Sequence, residues 1–66
     1  PGPSKNGRRL NLLYGTQVST RPPRFRVFVN DPGLVTRDYG YWVENQLRDR
    51  LDLRGVPVII DFVRRS

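Results

Sequence analysis

The sequence predicts a small α+β domain in which a three-stranded mixed sheet carries one helix, in the order strand, strand, helix, strand. Two patterns carry this prediction. Apolar side chains alternate with period two in residues 9–18 and 24–30, and a third β-rich segment follows at residues 58–63. Before that last segment, apolar residues recur every four positions, as on one face of a helix. With 66 residues, the chain can form one small domain and no more.

The predicted first strand holds Leu10, Leu12 and Tyr14 at a spacing of two residues. Residues 19–23 follow and include two prolines, which cannot donate ladder hydrogen bonds, so we expect a connector in which strand pairing lapses. Residues 24–30 form the clearest strand, with two faces of different character. One face is expected to carry Phe25, Val27 and Val29, and the other Arg24, Arg26, Phe28 and Asn30.

A turn is predicted at Asp31-Pro32-Gly33, and a helix is expected to begin after Thr36, whose hydroxyl can cap its first turn. Glu44 and Arg48 are spaced for an ion pair on this helix, and Gly55 is a natural end. The side chains expected to face the sheet and form its core are Tyr39, Val43, Leu47 and Leu51, with Trp42 beside them.

The order of the elements also predicts the topology. A strand-helix-strand connection favours a parallel pair, whereas the first two strands are expected to be antiparallel neighbours. A single helix covers only one face of the sheet and leaves the other open. Residues 1–8 are rich in Pro and Gly, so we expect a flexible linker end there and the folded domain over residues 9–66. Since the chain begins with Pro1 and has no methionine, we expect a fragment of a longer protein.

The composition excludes several classes of site. The chain has no cysteine and no histidine, which rules out disulfides, thiolate or imidazole metal sites, and Ser-His or Cys-His nucleophile pairs. We therefore expect no catalytic residue, no metal site and no cofactor in this chain. No apolar run approaches the roughly 18 residues that a membrane-spanning helix needs, so we expect no membrane partner.

The charge is distributed unevenly. The chain carries a formal charge of +6, and this whole excess lies in residues 1–30, which contain no acidic side chain. Eleven of the twelve basic residues are arginine, which binds phosphate with two parallel hydrogen bonds and stacks on bases. A one-sided basic half indicates a polyanion or an acidic protein surface as partner. The candidate contact residues are Arg8, Arg9, Arg21, Arg24 and Arg26.

A long motif then points to a family. The segment TQVSTRPP over residues 16–23, Phe25, and FVNDP over residues 28–32 resemble the TQVxTRPPxFxxFVNxP signature of the C-terminal KH-like domain in the bacterial double-GTPase family called Der or EngA. Residues 39–48 are similar to the helix of that family, and residues 55–58 to the segment before its last strand. Arg24, Asp38, Gly40, Tyr41 and Val56 depart from the pattern. The matching motif positions are Thr16, Gln17, Val18, Thr20, Arg21, Pro22, Pro23, Asn30 and Pro32.

The resemblance implies a KH-like fold without the usual GxxG loop, and indeed no two glycines here are three residues apart. It also implies a helix before the first strand, which this chain lacks, and two upstream GTPase domains that use GTP and Mg²⁺. The implied protein is cytoplasmic and takes part in assembling the large ribosomal subunit. No GxxxxGK[ST] loop occurs here, so this chain by itself is not expected to be an enzyme. We expect a monomer.

Two interpretations of the basic residues stay open at this point. They can contact ribosomal RNA of the large subunit, or they can dock on the GTPase domains in a purely intramolecular regulatory role. The face with Arg24, Arg26 and Phe28 suits base stacking, and it equally suits burial under an element missing from this chain. Asp61 on the last strand is a candidate structural partner for an arginine of the second strand.

Overall fold

The computed structural model describes residues 3–65 of the chain. Its elements, in chain order, are β1 (Ser4–Lys5), β2 (Arg8–Arg9), β3 (Leu12–Thr20), β4 (Pro23–Val29), a 3₁₀ turn (Pro32–Leu34), α1 (Arg37–Arg50) and β5 (Ile59–Arg64). Strands β1 and β2 form a separate two-stranded ribbon, and the main sheet has the order β3-β4-β5. Strand β3 is antiparallel to β4, and β5 is parallel to β4. The predicted mixed sheet with one main helix is confirmed.

Strand β4 lies in the centre of the sheet, and its side chains alternate between the core and the opposite face. Phe25, Val27 and Val29 are all 5% exposed or less, as the sequence predicts. The core around them is small because the domain is small. Its buried apolar residues are Leu10, Phe25, Val27, Val29, Leu34, Val43 and Val58. Leu10, Val27, Val29 and Leu34 form one cluster, with Val35, Tyr39, Ile60 and Phe62 packed against it.

Helix α1 begins where the sequence predicts. The Thr36 hydroxyl accepts a hydrogen bond from the Tyr39 amide at 3.1 Å and so caps the first turn. The predicted ion pair between Glu44 and Arg48 is present. The helix ends at Arg50, before the expected stop at Gly55, and the chain then turns through a residue of positive φ at position 52. Within residues 3–65, no helix is long and apolar enough to cross a membrane.

Two of the helix residues that the sequence assigned to the core are exposed instead. Trp42 is 54% exposed and Leu51 is 48% exposed, so their assignment to the core was wrong. The helix packs on the sheet near Phe62 of β5, and Val43 is its buried residue. An open groove lies between α1 and β3, and the Trp42 ring that lines it stacks on the Tyr39 ring, with centroids 5.6 Å apart.

The predicted connector at residues 19–23 is a tight hairpin turn. Pairing continues to Thr20 and Pro23, and only Arg21 and Pro22, joined by a cis peptide bond, lie outside the ladder. Pairing does not lapse, because a proline is tolerated as the first residue of a strand. The prolines therefore mark a reversal of the chain, and not a break in the sheet.

The first strand also departs from its predicted alternation. Leu12 pairs with Val29 and Tyr14 with Phe28, so β3 advances two residues while β4 advances one. Leu13 is thus the extra residue of a β-bulge, and a second register shift follows between Gln17 and Ser19. The bulge places Leu12 and Tyr14 on opposite faces of the sheet, although their spacing of two predicts a shared face.

The N-terminal segment is more ordered than the linker end that we expected over residues 1–8. Asn6 and Gly7 both have positive φ, 54° and 75°, which allows the tight turn between β1 and β2. The Leu10 side chain is 2% exposed, and its amide donates to the Pro3 carbonyl at 2.8 Å. The Asn-Gly pair is the sequence signal for this hairpin. Pro1, Gly2 and Ser66 lie outside the described residues.

Candidate nucleic-acid interface

The face of the sheet opposite α1 carries the candidate basic surface. The register of the three strands determines which side chains share it. Arg26 pairs with Thr16 on one side and with Asp61 on the other, so these three residues point to the same face. The neighbouring positions on this open face are Arg24, Phe28, Tyr14, Ile59 and Val63.

Arg24 is neutralised within the sheet. Its Nε donates to the Asp61 Oδ2 at 2.7 Å, and one terminal nitrogen reaches Oδ1 at 3.3 Å. The hydrogen bond from Arg24 is the main reason that the pKa of Asp61 is lowered. Burial opposes it less strongly, and the nearby charges of Arg24 and Arg26 lower the pKa further. The expected pairing of Asp61 with an arginine of the second strand is therefore present. The ion pair between Arg24 and Asp61 stabilises the pairing of β4 with β5, and it leaves less positive charge on the open face for an outside partner.

Arg8 is neutralised in the same way by Asp31, which joins three parts of the chain. The Asp31 carboxylate accepts from Arg8 and from Arg64, each at 3.0 Å, and from the Gly33 amide at 3.0 Å. The Gly33 hydrogen bond is the main reason that the pKa of Asp31 is lowered, and the charges of Arg64 and Arg8 add to it. The sequence alone does not reveal this cluster, because the two arginines are distant from Asp31 in the chain.

Three of the five candidate arginines remain available. Within residues 3–65, no carboxylate forms an ion pair with Arg9, Arg21 or Arg26. Their side chains are exposed, in β2, in the β3–β4 turn and on the open face. They do not form one cluster, because Arg21 precedes β4, Arg26 lies within it, and Arg9 is held beyond its far end by Asn30. Seven strand residues at about 3.3 Å each extend roughly 20 Å. This line of three arginines suits an extended polyanion.

An aromatic pair lies on the same face. The rings of Tyr14 and Phe28 stack with centroids 4.7 Å apart and an interplanar angle of 22°. Tyr14 is 49% exposed, whereas Phe28 is half-buried. The alternation of β4 predicts Phe28 on this face, whereas the spacing of β3 does not predict Tyr14 there, because only the bulge at Leu13 brings Tyr14 to this face.

The residues of the family motif divide into two groups. Pro23 is buried at the start of β4, Pro32 begins the 3₁₀ turn, and Asn30 holds the end of β4 to the N-terminal segment. These three have structural roles. The others lie in or beside the exposed edge strand β3 and its turn: Thr16, Gln17, Val18, Thr20, Arg21 and Pro22.

The helix side of the sheet holds an open apolar groove of about 290 Å³ between β3 and α1. It exists because α1 leaves the β3 side uncovered, and Trp42 is its largest exposed wall. The residues that line it are Leu12, Gly15, Val27, Trp42, Val43, Gln46, Leu47 and Arg50. Across the part of the chain that the structure describes, no three His, Cys, Asp or Glu side chains come together as a metal site would require.

The Asp31 cluster predicts a pH dependence of stability. The folded-state pKa of Asp31 is below the ordinary value for an aspartate. The ionised Asp31 therefore adds to the free energy of unfolding, and this contribution is fully present above the unfolded pKa of about 3.9. It is lost as the pH falls from about 5 through that value toward the folded pKa. Urea unfolding of Asp31→Asn should thus show lower stability than the parent chain at pH 7, and the gap should narrow progressively as the pH falls below about 5.

Asp49→Asn is the matched control, since Asp49 is exposed on α1 and forms no ion pair among residues 3–65. It should follow the parent curve across the whole range. A gap for Asp31→Asn that stays constant from pH 7 to pH 3 would contradict the ionic role of Asp31.

Comparison with known proteins agrees with the motif. The profile of the KH-domain-like family of EngA bacterial GTPase enzymes, C-terminal, matches residues 1–63. A protein named GTPase Der from Desulforudis audaxviator is 54% identical over 66 residues, which is 100% of this chain and 15% of that protein. GTPase Der from Limosilactobacillus reuteri is 52% identical over 58 residues, 88% of this chain and 13% of that protein. The chain thus spans about a seventh of the length of these relatives. The resemblance found in the sequence is confirmed, and the chain belongs to the KH-domain-like family that occurs at the C-terminus of EngA GTPases.

Proposed function

We propose that this chain is the RNA-contacting and docking module of a ribosome-assembly GTPase, with a different face for each role. The open face with Arg26, together with Arg21 in the β3–β4 turn and Arg9 in β2, contacts ribosomal RNA of the large subunit. The groove between β3 and α1 docks on the GTPase domains of the same protein. GTP and Mg²⁺ bind in those domains, outside this chain.

One observation carries the RNA proposal. Residues 1–30 hold six basic side chains and no acid, and the two carboxylates that the rest of the chain supplies neutralise only Arg8 and Arg24. The charge that no carboxylate pairs among the described residues therefore stays at Lys5, Arg9, Arg21 and Arg26, all at exposed positions. Phosphate contacts from arginine give most of the affinity in protein–nucleic acid complexes and make it depend on salt.

The mode of contact differs from that of an ordinary KH domain. An ordinary KH domain holds the nucleic-acid backbone with a GxxG loop between two helices, and no two glycines of this sequence have that spacing. The available arginines lie on β2, on the β3–β4 turn and on β4. We therefore assign the RNA contact to the sheet and its turn, and not to a helix end.

The groove supports the docking role. Apolar side chains that form a continuous exposed patch mark surfaces for protein contact in most soluble proteins. Here Trp42 is about half exposed, and Leu12 on the facing strand is 42% exposed. The alternative function, a purely intramolecular regulatory module, uses the same groove and places the arginines against acidic groups of the GTPase domains as well.

Replacing Arg21 and Arg26 with glutamine in the full-length protein that carries this sequence should weaken binding to large ribosomal subunits about tenfold. Each lost phosphate contact should also lower the slope of log affinity against log salt by about 1. Sedimentation with large subunits at several salt concentrations measures both. The double variant Arg37→Gln with Arg54→Gln, at exposed arginines in α1 and in the loop before β5, is the charge-matched control and should change neither quantity.

Unchanged affinity and unchanged salt slope in the double variant would remove the RNA contact. If the same variant alters GTP hydrolysis while its affinity for the subunit stays intact, the intramolecular alternative is correct.

A further inference from the structure

We propose that Tyr14 and Phe28 form a stacking platform for an unpaired RNA base, and that Arg26 beside them holds an adjoining phosphate. This inference rests on the proposed RNA contact. It adds the class of RNA, which is a single-stranded or looped segment and not a duplex.

The geometry of the aromatic pair supports the platform. The two rings are nearly parallel, at 22°, and close enough to stack, at 4.7 Å. Phe28 covers one face of the Tyr14 ring, yet half of the Tyr14 side chain is exposed. A tyrosine that is held by a second ring and open on its other side is pre-oriented for a base, since the ordering of its side chain is already achieved on folding.

The backbone of β3 is arranged to present this ring. A regular strand would place Tyr14 on the helix side with Leu12, where the apolar groove lies. The extra residue Leu13 interrupts the ladder and turns Tyr14 to the open face. Bulges often re-aim a side chain near a functional site, at the cost of a disrupted ladder.

The charge beside the platform favours a nucleic acid over an acidic peptide. Arg26 is two residues before Phe28 on β4 and faces the same side, opposite Thr16. The nearest carboxylate on this face, that of Asp61, is already engaged by Arg24 with two hydrogen bonds. A polyanion that also offers flat rings satisfies both Arg26 and Tyr14, whereas a carboxylate-rich peptide satisfies only Arg26.

The platform also distinguishes single strands from duplexes. In an A-form duplex the bases are stacked on one another and paired, so none can lie on Tyr14. Unpaired bases in loops and bulges are free to do so. A duplex would reach only the arginines.

Fluorescence anisotropy with a 12-nucleotide oligouridylate and a 12-base-pair RNA duplex tests the inference on the full-length protein that carries this sequence. Tyr14→Leu should lower affinity for oligouridylate at least about fivefold and leave the salt slope unchanged, because it removes a ring and no charge. Tyr14→Phe should bind like the parent. Tyr41→Leu, at an exposed tyrosine on α1, is the matched control and should have no effect. Duplex affinity should not change in any of the three.

The outcomes separate this inference from the proposed function. If Tyr14→Leu binds oligouridylate as tightly as the parent while the arginine double variant binds large subunits weakly, the platform is wrong and the RNA contact stands. If Tyr14→Leu weakens duplex and single strand equally, or changes only GTP hydrolysis, the platform is also wrong.

A second measurement needs no variant. Photocrosslinking of the parent protein to an oligomer that contains 4-thiouridine should modify the segment that includes Tyr14 or Phe28. Crosslinks confined to α1, or to regions outside this chain, would overturn the platform.

Discussion

Replacing Phe25 with alanine should leave the chain largely unfolded in water at 25 °C. The side chain is 5% exposed on the central strand, and Phe-to-Ala changes in a core cost about 3–5 kcal/mol. A single hydrophobic core in a domain below about 70 residues rarely supplies more than 3–5 kcal/mol in total. The substitution therefore removes stability equal to most of what the fold has. Far-ultraviolet circular dichroism with urea titration measures the loss.

Phe28→Ala is the control on the same strand. It deletes the same ring from the opposite face, where the side chain is only half-buried, and should cost about 1–2 kcal/mol through the lost stack on Tyr14. An equal loss for the two variants would mean that the open face is covered as deeply as the core. That result would contradict both the exposure of the face and the stacking platform.

Replacing Asn30 with alanine should destabilise the domain by about 1–3 kcal/mol and loosen the N-terminal ribbon from the sheet. The Asn30 side chain accepts from the Asn11 amide at 2.8 Å and donates to the Arg9 carbonyl at 2.9 Å. Both bonds connect β4 to the segment that joins β2 and β3. No other residue can replace them in the variant, since alanine has neither donor nor acceptor on its side chain.

Hydrogen exchange locates the effect of this change. The Asn11 amide should exchange at least tenfold faster in Asn30→Ala. The exchange rates of the β4 amides should rise only as far as the loss of global stability accounts for. Asn45→Ala removes an exposed asparagine from α1 and is the matched control, with a stability within about 0.5 kcal/mol of the parent. If the Asn11 amide is as protected in the Asn30 variant as in the parent, Asn30 does not hold the ribbon.

The Asn30 contacts also bear on the proposed RNA surface. Arg9 is one of the three arginines without an acidic partner among the described residues, and its backbone is held by Asn30. A motif residue of the family thus positions a candidate contact residue without touching the partner itself. Strand β4 likewise carries one residue of each kind. Arg24 holds β4 to β5 through its ion pair with Asp61, whereas Arg26 stays available to contact a partner.

The features that follow from local chemistry could be predicted from the sequence. The alternation in residues 24–30 predicts which side of β4 is buried, because successive side chains of a strand point to opposite faces. Thr36 predicts the start of α1, since its hydroxyl reaches an amide only three residues away. The TQVSTRPP segment predicts the family. In each case the residues that decide the outcome are close together in the chain.

The features that depend on distant partners could not be predicted. A bulge such as that at Leu13 is defined by the register with another strand, and so the exposure of Tyr14 on the open face was decided by the sheet. Arg8 finds its carboxylate 23 positions along the chain and Arg24 finds its own 37 positions along, so charge counting alone could not separate them from Arg9, Arg21 and Arg26.

By itself, the sequence determined the class of fold, the order of the three main strands and the helix, and the basic character of the first half of the chain. The tertiary structure decided which arginines remain unpaired, which side of the sheet Tyr14 occupies and why Trp42 is exposed beside an apolar groove. The physical reason is the same for all three. Strand register and the position of a helix over a sheet are set by packing between distant segments, whereas caps, turns and alternation are set by neighbours.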